Sequence, residues 1–163
     1  MARGPKKTNA ARLLDQAQVL YRLAPYEVGG EHLAAGEVAI RIGLPPEQVF
    51  KTLVARGKEH GVCFAVIPAT TSLDLKALAR LREERRMELV PLAEVTPLTG
   101  YVRGGTTALG AKKDYPVCLD ETAELFAEIA VSAGQKGLQI VLDPADYLRV
   151  TAATLGPLGQ ELA

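Results

Sequence analysis

Residues 62–68 read VCFAVIP, a run with no charged side chain and no hydrogen-bonding group stronger than a thiol. Successive side chains of a strand point to opposite faces, so an unbroken apolar run must be covered on both sides. This predicts a central strand between two layers. The preceding QVFKTLVA supplies a neighbouring strand at 49–55, and RGKEHG supplies the turn between them. A chain of 163 residues that is 48% hydrophobic can build such a core as one domain.

The other elements follow from caps, breakers and periodicity. Thr8 or Asn9 caps a helix through about Leu20, with Leu13, Leu14 and Ala17 on its apolar face. Alternation and Pro25 predict an edge strand over 21–28. Residues 32–42 read as a helix ended by Gly43, and Pro45–Pro46 as a rigid turn. A helix is expected over 73–82, a short strand over 87–90 and a small helix or turn over 91–95, followed by a TPLTG loop. Strands are expected at 117–119, 129–132 and 138–142, the last two paired across AGQKG. A helix or wide turn runs from 120 to 128, and a last helix starts at Asp143–Pro144 and runs to about Val150. The remaining TLGPLGQELA reads as loop and tail. About six or seven strands and three or four helices, without repeats, define a mixed α/β (α+β) domain.

Lysine plus arginine equals aspartate plus glutamate at 19 each, but the charges are uneven. Residues 1–113 hold 17 basic and 11 acidic side chains, and residues 114–163 hold 2 and 8. A neutral chain can therefore present one positive face. Cys63 and Cys118 lie in apolar runs outside any CxxC pair, which fits reduced, buried thiols in the cytoplasm. No apolar stretch reaches the length of a membrane span. The basic start MARGPKKTNA lacks the apolar segment of a signal peptide. His32 and His60, the two histidines, have no ligand partner at useful spacing and read as surface residues. Neither a zinc site nor a histidine-based triad is expected, and no cofactor or metal is assigned.

Residues 101–113, YVRGGTTALGAKK, concentrate three glycines, two threonines and three cations. Gly104, Gly105, Thr106 and Thr107 suit either a hairpin loop or backbone N–H groups turned toward an anion. Nucleotide motifs of the GxGxxG and GxxxxGK[ST] kinds are missing. Lys51 stands between Phe50 and Thr52 in an apolar run. It reads either as an edge-strand lysine that discourages pairing or as a cation directed into a cleft. The basic run 76–86 suits a phosphate backbone or a solvated helix face. AVSAGQKG at 130–137 predicts a turn, and Asp146 suits a cap or a ligand contact.

In order along the chain, TNAARLLD, PEQVFKTLV, LDLKALA, RMELV, LTGYVRGGTTALGAKK, IAVSAGQKGLQI and LDPADYLRV resemble the YbaK/EbsC family. These are bacterial aminoacyl-tRNA deacylases related to the editing domain inserted in prolyl-tRNA synthetases. The resemblance spans about residues 8–150. With the tails read from the residues, the expected organisation is a flexible basic tail at 1–7, an editing domain at 8–155 and a C-terminal tail at 156–163. The resemblance implies a compact fold with a twisted, barrel-like mixed sheet and peripheral helices. The family's essential lysine matches Lys51, its tyrosine Tyr26, its first paired glycine Gly104 and its late aspartate Asp146. Ser132, Ala133 and Gly134 match a loop that shapes the site. With Lys51 and Gly104 as the catalytic pair, Tyr26, Phe50, Thr52, Gly105, Thr106, Ser132, Ala133, Gly134 and Asp146 are the expected substrate contacts.

The implied reaction is trans-editing of mischarged tRNA at its acceptor end, foremost of Cys-tRNA(Pro), with prolyl-tRNA synthetase as a possible partner. Lacking a serine–histidine pair, the chain would rely on the substrate thiol attacking its own ester, a tethered reaction of high effective concentration. The alternatives are deacylation of Ala-tRNA(Pro) by a positioned water, and a non-catalytic module that binds the acceptor end. The chain departs from the family pattern after Tyr26, where EVGGEHLAAG follows, and at GGTTALG in place of GGISPLG. Both departures bear on pocket size.

Overall fold

The structure, a computed structural model, describes residues 7–29 and 33–162. The elements in order are α1 (Asn9–Gln16), β1 (Tyr21–Pro25), α2 (Ala35–Ile42), a 3-10 turn (Pro46–Gln48), β2 (Phe50–Gly57), β3 (Gly61–Pro68), β4 (Thr71–Leu73), α3 (Leu75–Arg82), β5 (Met87–Leu89), α4 (Leu92–Thr99), β6 (Val117–Asp120), a second 3-10 turn (Glu121–Leu125), β7 (Ile129–Ser132), β8 (Leu138–Leu142), α5 (Pro144–Thr151), β9 (Thr154–Gly156) and β10 (Gly159–Glu161).

They form a five-stranded mixed sheet in the order β5-β2-β3-β6-β9, a three-stranded antiparallel sheet β1-β8-β7, and a ribbon of β10 with β4. β3 lies at the centre of the large sheet. Its Phe64 and Val66 enter a core shared with Leu14, Ile129, Val131 and Ile140. Its Cys63, Ala65 and Ile67 face Leu78 of α3 on the other side. The apolar run is thus explained by burial of both faces. β7 divides likewise, with Ile129 and Val131 in the main core and Ala130 packed with Ala39 of α2 and Val141.

Local signals set many boundaries. Thr8 accepts from the Ala11 N–H at the start of α1, and Asp74 accepts from the Ala77 N–H at the start of α3. Gly43 ends α2 at φ +75°.

Three expectations need correction. The sheet is not a barrel. β2 pairs with β3 along its whole length, but with β5 only over Ala55–Gly57. Beyond Leu89 the chain meets Pro91, which begins α4 and has no N–H for a ladder. Among the described residues, the two larger sheets are joined in strand pairing by one parallel bridge, Val49 to Ala130. A gap therefore remains beside the first half of β2. Second, TPLTG is not a loop, because α4 runs through Pro97 to Thr99. The carbonyl that Pro97 leaves unpaired belongs to the exposed Ala93, which water can solvate. Third, the segment after residue 153 is not a free tail. Buried Asp120 accepts the N–H groups of Leu158 and Gly159, both at 2.8 Å, and so fixes β10 against β4.

Candidate active site

The gap beside β2 is a cavity of about 370 Å³. Phe50, Lys51, Thr52, Leu53 and Val54 form one wall, and Leu89, Val90, Leu92 and Val95 close it from β5 and α4. Val28, Leu33, Ala35 and Val38 contribute from the segment leading into α2. Tyr26, Ser132 and Gln139 line the end built by the three-stranded sheet, while Arg103, Gly104, Thr106 and Lys136 come from the two glycine loops.

The backbone explains why the gap is polar along β2. The Val90 N–H donates to the Val54 carbonyl at 2.9 Å, so Val54 turns its main-chain groups toward β5. Alternation turns those of Thr52 to the same edge, where no strand covers them. Lys51 sits on this half of β2. Both readings of the lysine hold in part, since β2 is interior in the sheet yet unpaired on one flank at Lys51. Burial holds its pKa below the ordinary lysine value. It has no carboxylate partner among the described residues.

The glycine loop is not a hairpin but an irregular segment pinned at several points. The Thr96 hydroxyl donates to the Tyr101 carbonyl at 2.8 Å, and the Tyr101 hydroxyl to the Leu109 carbonyl at 2.7 Å. Gly104 has φ +86°, where a side chain is strained. A Cβ on Gly105 would stand 2.9 Å from Gln135 Cα, so the loop lies directly on the turn between β7 and β8.

Of the expected site residues, Tyr26, Phe50, Lys51, Thr52, Gly104, Thr106 and Ser132 line the cavity. Gly105, Ala133 and Gly134 do not line it, though they belong to the two loops that do. Asp146 lies in the first turn of α5, where it pairs with Arg149 at 3.3 Å, and does not line the cavity. Arg103 and Gln139 were not singled out by the sequence reading, and Lys136 only as part of a turn. Charge in a glycine-rich loop was the available signal for Arg103. A glutamine within a strand carries none. His60 is exposed at the β2–β3 turn, and His32 lies outside the described residues. Cys63 and Cys118 are fully buried on the α3 side, away from the cavity.

The lining holds three cations, Lys51, Arg103 and Lys136, and no carboxylate, histidine or cysteine among the described residues. Such a cavity suits an anionic ligand with an apolar or neutral part. No group of three or more histidine, cysteine or acidic side chains able to hold a metal occurs among the described residues. No helix among them is long and apolar enough to cross a membrane.

The sequence defines the class of protein to which this fold and cavity belong. Residues 31–150 match the aminoacyl-tRNA editing domain family, and the chain belongs to it. It is 40% identical over 146 residues to the candidate Cys-tRNA(Pro)/Cys-tRNA(Cys) deacylase EbsC of Enterococcus faecalis, covering 90% of this chain and 89% of that protein. It is 32% identical over 147 residues to the multifunctional Ser/Thr-tRNA deacylase ProXp-y of Escherichia coli, covering 88% and 86%. The fold matches the crystal structure of a candidate trans-editing enzyme for prolyl-tRNA synthetase with TM-score 0.79 at 24% identity, over 98% of this chain and 99% of that one. The protein is an aminoacyl-tRNA deacylase of the YbaK/EbsC kind, acting on mischarged tRNA.

Proposed function

We propose that the protein removes cysteine from mischarged tRNA(Pro), acting in trans to prolyl-tRNA synthetase in the cytoplasm. The name of the relative at 40% identity supports cysteine as the amino acid. The observation that carries the reading is the charge arrangement of the cavity, with three cations and no acid around an otherwise neutral lining. The acceptor end of tRNA brings phosphates to the mouth and an uncharged ribose ester inside. Arg103 and Lys136 are exposed and meet the phosphates. Lys51, half-buried, holds the terminal ribose or its phosphate and keeps the ester in register.

The described lining offers hydroxyls but no histidine or carboxylate to activate them, so the nucleophile comes from the substrate. The cysteinyl sulfur attacks its own ester carbonyl. The carbon–oxygen bond to the ribose breaks, the thiol proton passes to the ribose oxygen, and a four-membered thiolactone leaves and is hydrolysed. Gly104 and its neighbours supply backbone N–H groups to the developing oxyanion. Tyr26, Thr52, Thr106 and Ser132 hold the neutral parts of the substrate, and Asp146 acts from outside by steadying α5.

The test is single-turnover deacylation of tRNA(Pro) charged with cysteine, serine, threonine, alanine and proline. Cysteinyl-tRNA should be cleaved much faster than the seryl form, since a hydroxyl is the weaker nucleophile at neutral pH. Equal rates for cysteinyl, seryl and alanyl esters would reject the thiol and move the reaction to a positioned water. Binding without cleavage of any ester would leave an acceptor-end binding module.

A further inference from the structure

We propose that Gln139 receives the α-amino group of the amino acid, which fixes the end of the cavity that holds the aminoacyl ester; this rests on the deacylase reading above. Gln139 lies in the middle strand β8, opposite Ala24 of β1 and Ser132 of β7. It is 6% exposed and lines the cavity. Its Oε1 has no hydrogen-bond partner among the described residues, and neither does Oγ1 of Thr52, another lining residue. These are two of the four buried side-chain polar atoms left without a partner among the described residues, so half of that unmet hydrogen bonding belongs to residues lining the cavity. A buried amide left unpaired carries its full desolvation penalty, which a ligand donor relieves.

The strand neighbours of Gln139 leave it unpaired. Ala24 has no polar side-chain atom, and the Ser132 hydroxyl, which accepts from the Gly134 N–H at 3.3 Å, makes no hydrogen bond to Gln139 Oε1. The chemistry also selects the α-amino group. With Lys51 in the same cavity and no carboxylate in the described lining, burial beside positive charge favours an uncharged amine. A neutral amine needs only a neutral acceptor, and the amide oxygen provides one. Where it stands that oxygen is shielded from the cavity, and since it holds no hydrogen bond among the described residues, a half-turn about the last side-chain torsion presents it to the ligand without breaking one. The wall from β5 and α4, Leu89, Val90, Leu92 and Val95, has no polar side chain and is left for the adenosine base.

The test compares two non-hydrolysable ligands, 3′-cysteinylamino-3′-deoxyadenosine and its 3-mercaptopropionyl counterpart, which lacks only the α-amino group. Calorimetry should give at least tenfold tighter binding of the cysteinyl compound to the wild-type protein. In Gln139→Leu both should bind equally, at the weaker level. Wild-type affinities within threefold of each other, binding of neither compound, or equal weakening of both in the variant would each overturn the assignment. The wild-type comparison needs no variant and stands even if Gln139→Leu misfolds. Cleavage of Cys-tRNA(Pro), measured in parallel, separates the two readings. An amine preference that depends on Gln139 without any cleavage retains this inference and rejects the deacylase mechanism. Cleavage without an amine preference does the reverse.

Discussion

Gly134 rests against the ring of Tyr101, so closely that a Cβ on Gly134 would stand 2.9 Å from Tyr101 Cε1. The φ of Gly134 is +98°, which a side chain rarely adopts. The contact locks the loop carrying Arg103 and Gly104 onto the turn carrying Lys136. Gly134→Ala should therefore cost about 1–3 kcal/mol of stability through backbone strain. It should also slow deacylation at least tenfold per folded molecule. Urea denaturation and single-turnover rates check both, and normal turnover would mean that the two loops act independently.

Lys51→Ala should fold and lose at least tenfold in kcat/KM, about 1.4 kcal/mol of transition-state binding. Lys51→Arg should also be impaired, since a planar fork does not replace a compact ammonium. Wild-type activity in Lys51→Ala would remove the residue from the mechanism.

The acidity of Lys51 predicts a pH dependence. Burial lowers its pKa from the ordinary 10.5. The cation is present below the lowered pKa and is lost as pH rises through it. Activity that needs the cation should then fall on an alkaline limb centred below pH 10.5, and Lys51→Arg should lack that limb. Stability moves the other way. The penalty for burying the cation is present below the folded pKa and is relieved as pH rises toward the unfolded value. Lys51→Met should accordingly raise the melting temperature at pH 7 while abolishing turnover. A lower melting temperature for this variant would contradict the argument.

Neither protein cysteine should take part in catalysis. The Cys63 thiol is pushed up in pKa by its contact with Cys118 and by burial, so its thiolate is disfavoured. Cys63→Ala with Cys118→Ser should lose about 1–3 kcal/mol of stability. The folded fraction should keep most of its activity. A hundredfold loss of turnover per folded molecule would point to a protein nucleophile.

Asp120→Ala should unfasten the C-terminal ribbon. It leaves the N–H groups of Leu158 and Gly159 without their acceptor, at a cost of about 1–3 kcal/mol for one buried and one half-buried donor. Hydrogen exchange should show faster exchange at β10 and β4 than at β7. Uniform protection in the variant would mean that packing alone holds the ribbon.

Residues 62–68 made the centre of the fold legible, because only burial on both faces accommodates seven apolar positions in a strand. The hairpin of β7 and β8 was equally legible from two apolar runs around AGQKG. The caps Thr8, Asp74 and Gly43 act within one turn, so they too could be read locally. Part of the cavity lining was legible by family resemblance, through Lys51, Tyr26, Gly104 and Ser132. Gln139 was not, since an amide in a strand becomes informative only once its neighbours are known to leave it unpaired.

By itself, the sequence determined the local structure and the family: where strands and helices form, which run lies at the centre, and which lysine stands out. These depend on short-range caps, turn residues and hydrophobic period. The tertiary structure alone decided that the sheet stays open, that Gly159–Glu161 pair with β4, and that Arg103, Lys136 and Gln139 share one cavity with Lys51. Each of these outcomes joins residues distant in the chain. Pairing, shared burial and an unmet hydrogen bond are properties of neighbours in space, and the order of the residues does not contain them locally.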